Sequence, residues 1–198
     1  YTIMAVAFLA LLCGAAAWTI ARNKGRFYRF AYLYFIIGIL IPAQALFLPI
    51  YIVGYRTGLV NTRVGVILMF IATNLSFGVF LMTSFMSTVP VELEEAARID
   101  GCSVYRTYFT IVMPLLKPAM ATLIIMQSFQ IWNDYLLPYL VLDLKRFKTI
   151  PIAVQYLRGG YGSVDMGAMM GMLVLAIAPI LVMYFLCQKY IVSGVMAG

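Results

Sequence analysis

The chain has 198 residues, 64% of them hydrophobic and 11% charged, against roughly 45–50% apolar and about 25% charged in soluble domains. Apolar runs of about 20 residues, the length that crosses a hydrocarbon core, recur along it. They exclude a soluble globular domain and predict an all-α, polytopic membrane bundle, one transmembrane domain over residues 1–198. The net charge of +7 sits in the connections, where orientation signals and anionic lipid explain it better than nucleic acid does.

Span one is expected at about 1–20. Four bases, Arg22, Lys24, Arg26 and Arg29, follow it with no acid among them, and this positive-inside signal places the connection in the cytoplasm. Span two, about 30–53, contains Pro42 and Pro49, which break the hydrogen-bond ladder twice and predict a kink. A short external loop, 54–63, turns around Thr57-Gly58 and Asn61. Span three, about 64–85, returns inside and carries Asn74. A cytoplasmic loop, 87–117, leads into span four, about 118–137. An external segment, 138–165, holds a short helix starting at Thr149-Ile150-Pro151 and ending at Gly159-Gly160. Span five, about 166–188, returns inside. Eight bases then lie inside and six outside, so the orientation rests on the 22–29 connection. The chain opens at Tyr1 inside or just before a span, so an earlier helix is expected upstream.

The loop at 87–117 holds four of the seven acids, Glu92, Glu94, Glu95 and Asp100. Pro90 suits a first helical turn, and the glutamates follow where the helix dipole favours negative charge. Gly101 stands where a left-handed cap ends a helix. Leu93, Ala96 and Ala97 are expected on one face, small enough to admit a second backbone. Ser103 caps a second short helix running through Tyr108, and Pro114 is expected to stop it. The bland alternative is a solvated surface helix pair.

Glu95-Ala96-Ala97, three residues, Gly101, nine residues, Ile111, one residue, Met113-Pro114 resembles the EAA loop of ABC-importer permeases. Met113 stands where that pattern has Leu, a volume-conserving exchange. Ile41-Pro42-Ala43-Gln44, Leu48-Pro49-Ile50-Tyr51, Gly58-Leu59-Val60-Asn61-Thr62, Trp132-Asn133-Asp134 and Gly194-Val195-Met196-Ala197-Gly198 are similar to the carbohydrate-uptake, maltose-transporter-type branch, and to its shorter second permease. The resemblance covers nearly the whole chain, lacking the family's first helix and the last few residues of its tail. It implies a type I importer permease fold, with five of six transmembrane helices visible and a cytoplasmic coupling helix-turn-helix, in a bacterial cytoplasmic membrane. It implies that Glu94, Glu95, Ala96, Ala97, Asp100, Gly101, Ile111 and Pro114 couple to an ATPase. The implied partners are a second permease, two ATP-binding cassette subunits and an extracytoplasmic solute-binding protein, besides membrane lipid.

The absences agree with that assignment. There is no histidine, which removes Ser-His-Asp, Cys-His and His-based metal sites, and the three cysteines lack metal-ligand spacing. No phosphate loop of the form G-x-x-x-x-G-K-[ST] occurs. Neither a cofactor nor a metal is expected in this chain, with ATP and magnesium on the partner ATPase, and no catalytic residue.

Span four becomes polar toward its end. Gln127, Gln130 and Asp134 fall at i, i+3 and i+7, on one helical face, with Trp132 and Asn133 beside them. Intramembrane polar groups face the bundle interior or a wet path, so these five, with Gln44 and Asn74, are candidates to hydrogen-bond and stack a sugar. The alternatives are helix–helix glue, or for Asp134 a place at the outer interface. The bases of the external segment read as a solvated loop or, by the resemblance, as a binding-protein contact that includes Gly160, Tyr161 and Gly162. A secondary transporter needs buried coupling charges, for which only Asp134 is available, and a membrane enzyme lacks a nucleophile–base set. Di- or oligosaccharide is the expected cargo, with polyols and glycerol phosphate the alternative.

Overall fold

The computed structural model describes residues 1–158 and 166–195. They form helices throughout: α1 Thr2–Arg22, α2 Arg26–Leu40, α3 Ala43–Arg56, α4 Arg63–Met86, α5 Glu92–Ile99, α6 Val104–Thr107, α7 Met113–Leu115, α8 Lys117–Asn133, α9 Leu136–Val141, α10 Ile150–Arg158 and α11 Met166–Val195. A π turn, Tyr108–Val112, joins α6 to α7. Among the described residues, α1 and α4 are each long and apolar enough to cross a membrane, and the bent pairs α2–α3 and α6-to-α7 with α8 pass the same test. The fifth apolar stretch of the sequence lies in α11.

α1 is central, packing most extensively on α4 and also on α8 and α2, while α8 packs on α11. Its buried stripe, Ala5, Leu9, Cys13 and Ala17, has the i, i+4 spacing of one helical ridge. α8 answers with Ala119, Leu123, Gln127 and Ile131 at the same spacing. The three helices meet at Gly78 of α4, where an added Cβ would run into the Cys13 thiol and approach Leu123 Cδ1 at 3.3 Å. Glycine is required there for close approach, as in other membrane helix contacts.

Span two is not one kinked helix. It breaks at Ile41–Pro42 into α2 and α3, bent by 107°, while Pro49 lies inside α3 without ending it. Only the first proline severs the span, because Ile41 takes an extended conformation (φ −81°, ψ 121°), the bias of a residue before proline. The 54–63 turn places Gly58 (φ 70°) and Asn61 (φ 63°) in the left-handed region, and the Asn61 amide donates to the Val141 carbonyl at 2.8 Å. That bond ties this loop to the end of α9.

Span four also differs from the expectation. Its regular helix ends at Asn133, and Asp134 is extended (φ −69°, ψ 117°). Asp134 Oδ1 accepts from the amides of Leu136 and Leu137 at 2.9 and 3.2 Å, starting α9 in a new direction.

Candidate functional site

Two polar regions stand out of the apolar bundle. One is α5 and the turn after it. α5 has three acids in its first turn and ends in a Schellman motif, Cys102 N–H to Ala97 O at 2.9 Å and Gly101 N–H to Arg98 O at 3.1 Å. Gly101 has φ +78°, the conformation in which this motif favours glycine. Ser103 Oγ then accepts from the Arg106 amide at 3.3 Å, capping α6. Pro114 does not stop this second helix. The π turn before it, with the Met113 amide reaching back to Tyr108 O, widens the ladder where proline lacks its donor. The chain instead bends by 74° at Leu116, between α7 and α8.

The coupling candidates divide between the two sides of α5. Leu93 and Ala97, at i and i+4, and Ala96 lie on adjoining parts of one side of the helix, but their exposure differs. Ala97 is buried with Glu94, three residues before it, against the bundle, whereas Leu93, Glu95, Ala96 and Asp100 are exposed. Ile111 is half-buried in the π turn, and Pro114 is exposed. Val91, Leu93 and Ile99 add large exposed apolar groups beside the acids.

Glu94 is fully engaged inside the chain. Its Oε1 accepts from Arg22 Nε at 2.8 Å and its Oε2 from Trp18 Nε1 at 2.8 Å. Arg22 Nη2 also donates to the Val89 carbonyl at 2.8 Å. Arg22 had been legible only as an orientation signal, and Trp18 carried no signal of its own. The single hint is their spacing, one helical turn apart at the end of a span that precedes a glutamate-rich loop.

The second region is a cavity of about 1080 Å³ lined by α3, α4, α8, α9 and α11. Gln44, Gln130, Asn133 and Asp134 are its polar lining among the candidates, with Phe47, Phe77, Phe129 and Tyr184 as aromatic walls. The break at Pro42 places Gln44 in the first turn of α3, at this space. The aromatic walls were not singled out in the sequence, since they look like ordinary apolar span residues. Asn133 Nδ2 bonds back to Phe129 O at 2.9 Å.

The other three candidates lie elsewhere. Gln127 is fully buried in the α8 stripe, with neither side-chain polar atom partnered. Asn74 is buried and turns its amide to Phe70 O at 2.8 Å and Thr73 Oγ1 at 3.1 Å. Trp132 pins α8 to α11, its indole N–H donating to Ala176 O at 3.0 Å, and its ring lines two smaller spaces. The common face of residues 127, 130 and 134 is therefore divided: the edge of the packed interface runs between Gln127 and Gln130, and Asp134 has left the helix. Gly160, Tyr161 and Gly162 lie outside the described residues. Of the external bases, Arg63 sits over the Phe147 ring at 5.1 Å and Lys148 over Tyr156 at 4.5 Å. Among the described residues no cluster of acids or cysteines could hold a metal.

A helical membrane bundle with a wide cavity at one side and a rigid charged helix hairpin at one end is the architecture of a transport permease. The profile of the family described as the inner-membrane component of binding-protein-dependent transport systems matches residues 7–196, and the chain belongs to that family. It is 34% identical over its whole length to 71% of a probable starch degradation products transport system permease, AmyC of Thermoanaerobacterium thermosulfurigenes. It is 34% identical to the multiple sugar-binding transport system permease MsmG of Streptococcus mutans, covering 100% of this chain and 72% of that one. The melibiose/raffinose/stachyose import permease MelC of Bacillus subtilis is 32% identical, over 97% of this chain and 70% of MelC. In fold, the crystal structure of a bacterial ABC transporter involved in the import of the acidic polysaccharide alginate superposes with a TM-score of 0.81 at 22% identity, over 96% of this chain and 71% of that one. The chain is thus an inner-membrane transport permease of the type I ABC fold.

Proposed function

We propose that this permease forms half of the translocation path of an ATP-driven, binding-protein-dependent importer of neutral di- or oligosaccharides. The cavity carries the reading. Its volume of about 1080 Å³ lies just above the roughly 300–1,000 Å³ range of small-molecule sites. Its combination of amides, a carboxylate and aromatic faces suits sugar hydroxyls and the apolar faces of sugar rings. Among the described lining residues there is an acid, Asp134, and no base, which disfavours glycerol phosphate. The relatives' sugar-transport names point the same way.

In this reading the α5 end faces the cytoplasm. The exposed stripe of Val91, Leu93, Glu95, Ala96, Ile99 and Asp100 receives an ATPase subunit, which supplies ATP and magnesium chemistry that this chain does not perform. A second permease closes the cavity, and a solute-binding protein delivers cargo at the opposite end. The test is uptake of labelled maltotriose, raffinose and diacetylchitobiose by cells lacking the permease and complemented with it, in competition with unlabelled sugars, polyols and glycerol 3-phosphate. Uptake of at least one oligosaccharide, lost without the permease and untouched by glycerol 3-phosphate, is expected. Competition only by glycerol 3-phosphate or a polyol would replace the reading.

A further inference from the structure

α5 is joined to the bundle by two routes. The covalent one runs both ways: back to α4 through residues 87–91, and forward through the left-handed turn at Gly101, then α6, a π turn and a 74° bend before α8. The second is short and passes through side chains. Glu94 uses both carboxylate oxygens, one on Arg22 and one on Trp18, and Arg22 also holds the Val89 carbonyl. The segment is therefore gripped at two points, residues 89 and 94, by two side chains one helical turn apart on α1. The Arg22–Glu94 pair is mostly shielded from water, at 14% and 9% side-chain exposure, where charge-assisted bonds are least screened. The Trp18 ring also packs on Tyr108 of the π turn, with centroids 5.0 Å apart. Val89 of the 87–91 link, Glu94 of α5 and Tyr108 of the π turn are thus all held by the last turns of α1.

We propose that Arg22 and Trp18 are positioning residues that carry movement of α5 into the bundle, so that α1 and not the connecting chain is the main lever. The inference rests on the reading of α5 as the ATPase-docking helix. α1 packs on α4 and α8, whose Phe77, Phe129 and Gln130 line the cavity. A shift of α5 held rigidly to α1 changes the cavity walls, and a shift taken up in residues 87–91 and the π turn does not. Glu94, within the acidic run, then acts on α1 while its neighbour Glu95 faces outward.

The test uses the full-length permease in its complete transporter, reconstituted in vesicles. Gln130→Cys reports cavity access to a membrane-impermeant maleimide during ATP cycling, compared with the same protein lacking that change, so that labelling of Cys13, Cys102 and Cys187 subtracts. ATP hydrolysis is measured in parallel. Arg22→Gln is expected to keep hydrolysis within about twofold and to lower cavity switching per ATP about tenfold, the equivalent of one charge-assisted bond. Arg22→Lys should recover part of the loss. Trp18→Phe, which keeps a ring over Tyr108 but removes the donor, should give a smaller loss of the same kind. Unchanged switching per ATP in Arg22→Gln overturns the proposal. So does a parallel fall of hydrolysis and switching that Arg22→Lys does not relieve. If Arg22→Gln does not reach the membrane, Arg22→Lys and Trp18→Phe decide by the same ratio. Absence of ATP-driven switching in the unmodified transporter sinks the docking reading beneath it instead.

Discussion

The α5 end and the cavity side treat polarity in opposite ways. At α5, the carboxylate of Glu94 meets a guanidinium and an indole donor, each at 2.8 Å, and the helix end is closed by its own Schellman bonds. At the cavity, Gln44, Gln130, Asn133 and Asp134 face about 1080 Å³ of open space. A polar side chain in an apolar bundle costs free energy unless it is bonded. The first region meets that cost internally and becomes stiff. The second meets it only in part, through the backbone bonds of Asn133 and Asp134, and leaves the rest for water or cargo. Polarity alone does not distinguish a strut from a site. The partner does.

Breaking the stiff end should give the largest effect. Gly101 has φ +78°, which proline cannot adopt, so Gly101→Pro is expected to abolish uptake and co-purification with the ATPase. Nothing lies within 4 Å of a Cβ at Gly101, so Gly101→Ala meets only the left-handed backbone penalty, about 1–2 kcal/mol, and Gly101→Asn less. A Gly101→Ala variant as inactive as the proline one would show that the turn needs space as well as conformation.

The contrast between neighbouring acids comes next. Glu94→Gln should lower permease stability by about 1.5–3 kcal/mol, the range for a hydrogen bond to a charged group, read as a fall in the thermal unfolding midpoint of the detergent-solubilised protein. Glu95→Gln, on the exposed side, should leave that midpoint in place and weaken only ATPase association. Equal destabilisation by both would erase the division of α5 into inner and outer faces.

Within α8 the comparison sharpens across three residues. Gln130→Leu should raise the apparent KM for sugar about five- to tenfold, the loss of about one hydrogen bond, without lowering the unfolding midpoint. Gln127→Leu should do the reverse. Its unpartnered amide carries a burial penalty of about 1–3 kcal/mol, so the variant is expected to be at least as stable as the parent and to transport normally. A transport defect in Gln127→Leu would move it from the packed stripe to the path. The smallest effect belongs to the opposite end, where Arg63→Gln removes an exposed cation–π contact worth about 0.5–1 kcal/mol. It should barely shift the midpoint.

Much of this was legible from the chain. The spans announce themselves by length and composition, and the α5 hairpin by its acids, Gly101 and Ser103. Some expectations changed, for backbone reasons at the prolines and for packing reasons in span four. Pro114 does not end its helix because a π turn absorbs it, and Pro42 severs its span where Pro49 does not. The polar face of span four divides because α1 and α4 cover one edge of it and not the other. Asn74, by contrast, satisfies itself on its own helix, a local option open to any buried asparagine.

The sequence by itself determined what local physics controls: hydropathy makes the spans, and glycine's access to positive φ fixes the turn at residue 101. The family pattern at residues 95–114 followed from the same residues. Tertiary structure alone decided which polar groups are struts and which are lining. Glu94 and Glu95 are chemically identical and adjacent, and Gln127 and Gln130 differ by less than one helical turn. Only the placement of α1, 72 residues before Glu94 at the Arg22 contact, gives one member of the first pair a partner, and the packing of α1 and α4 buries one member of the second. Such contacts depend on how distant helices cross, which no local pattern encodes.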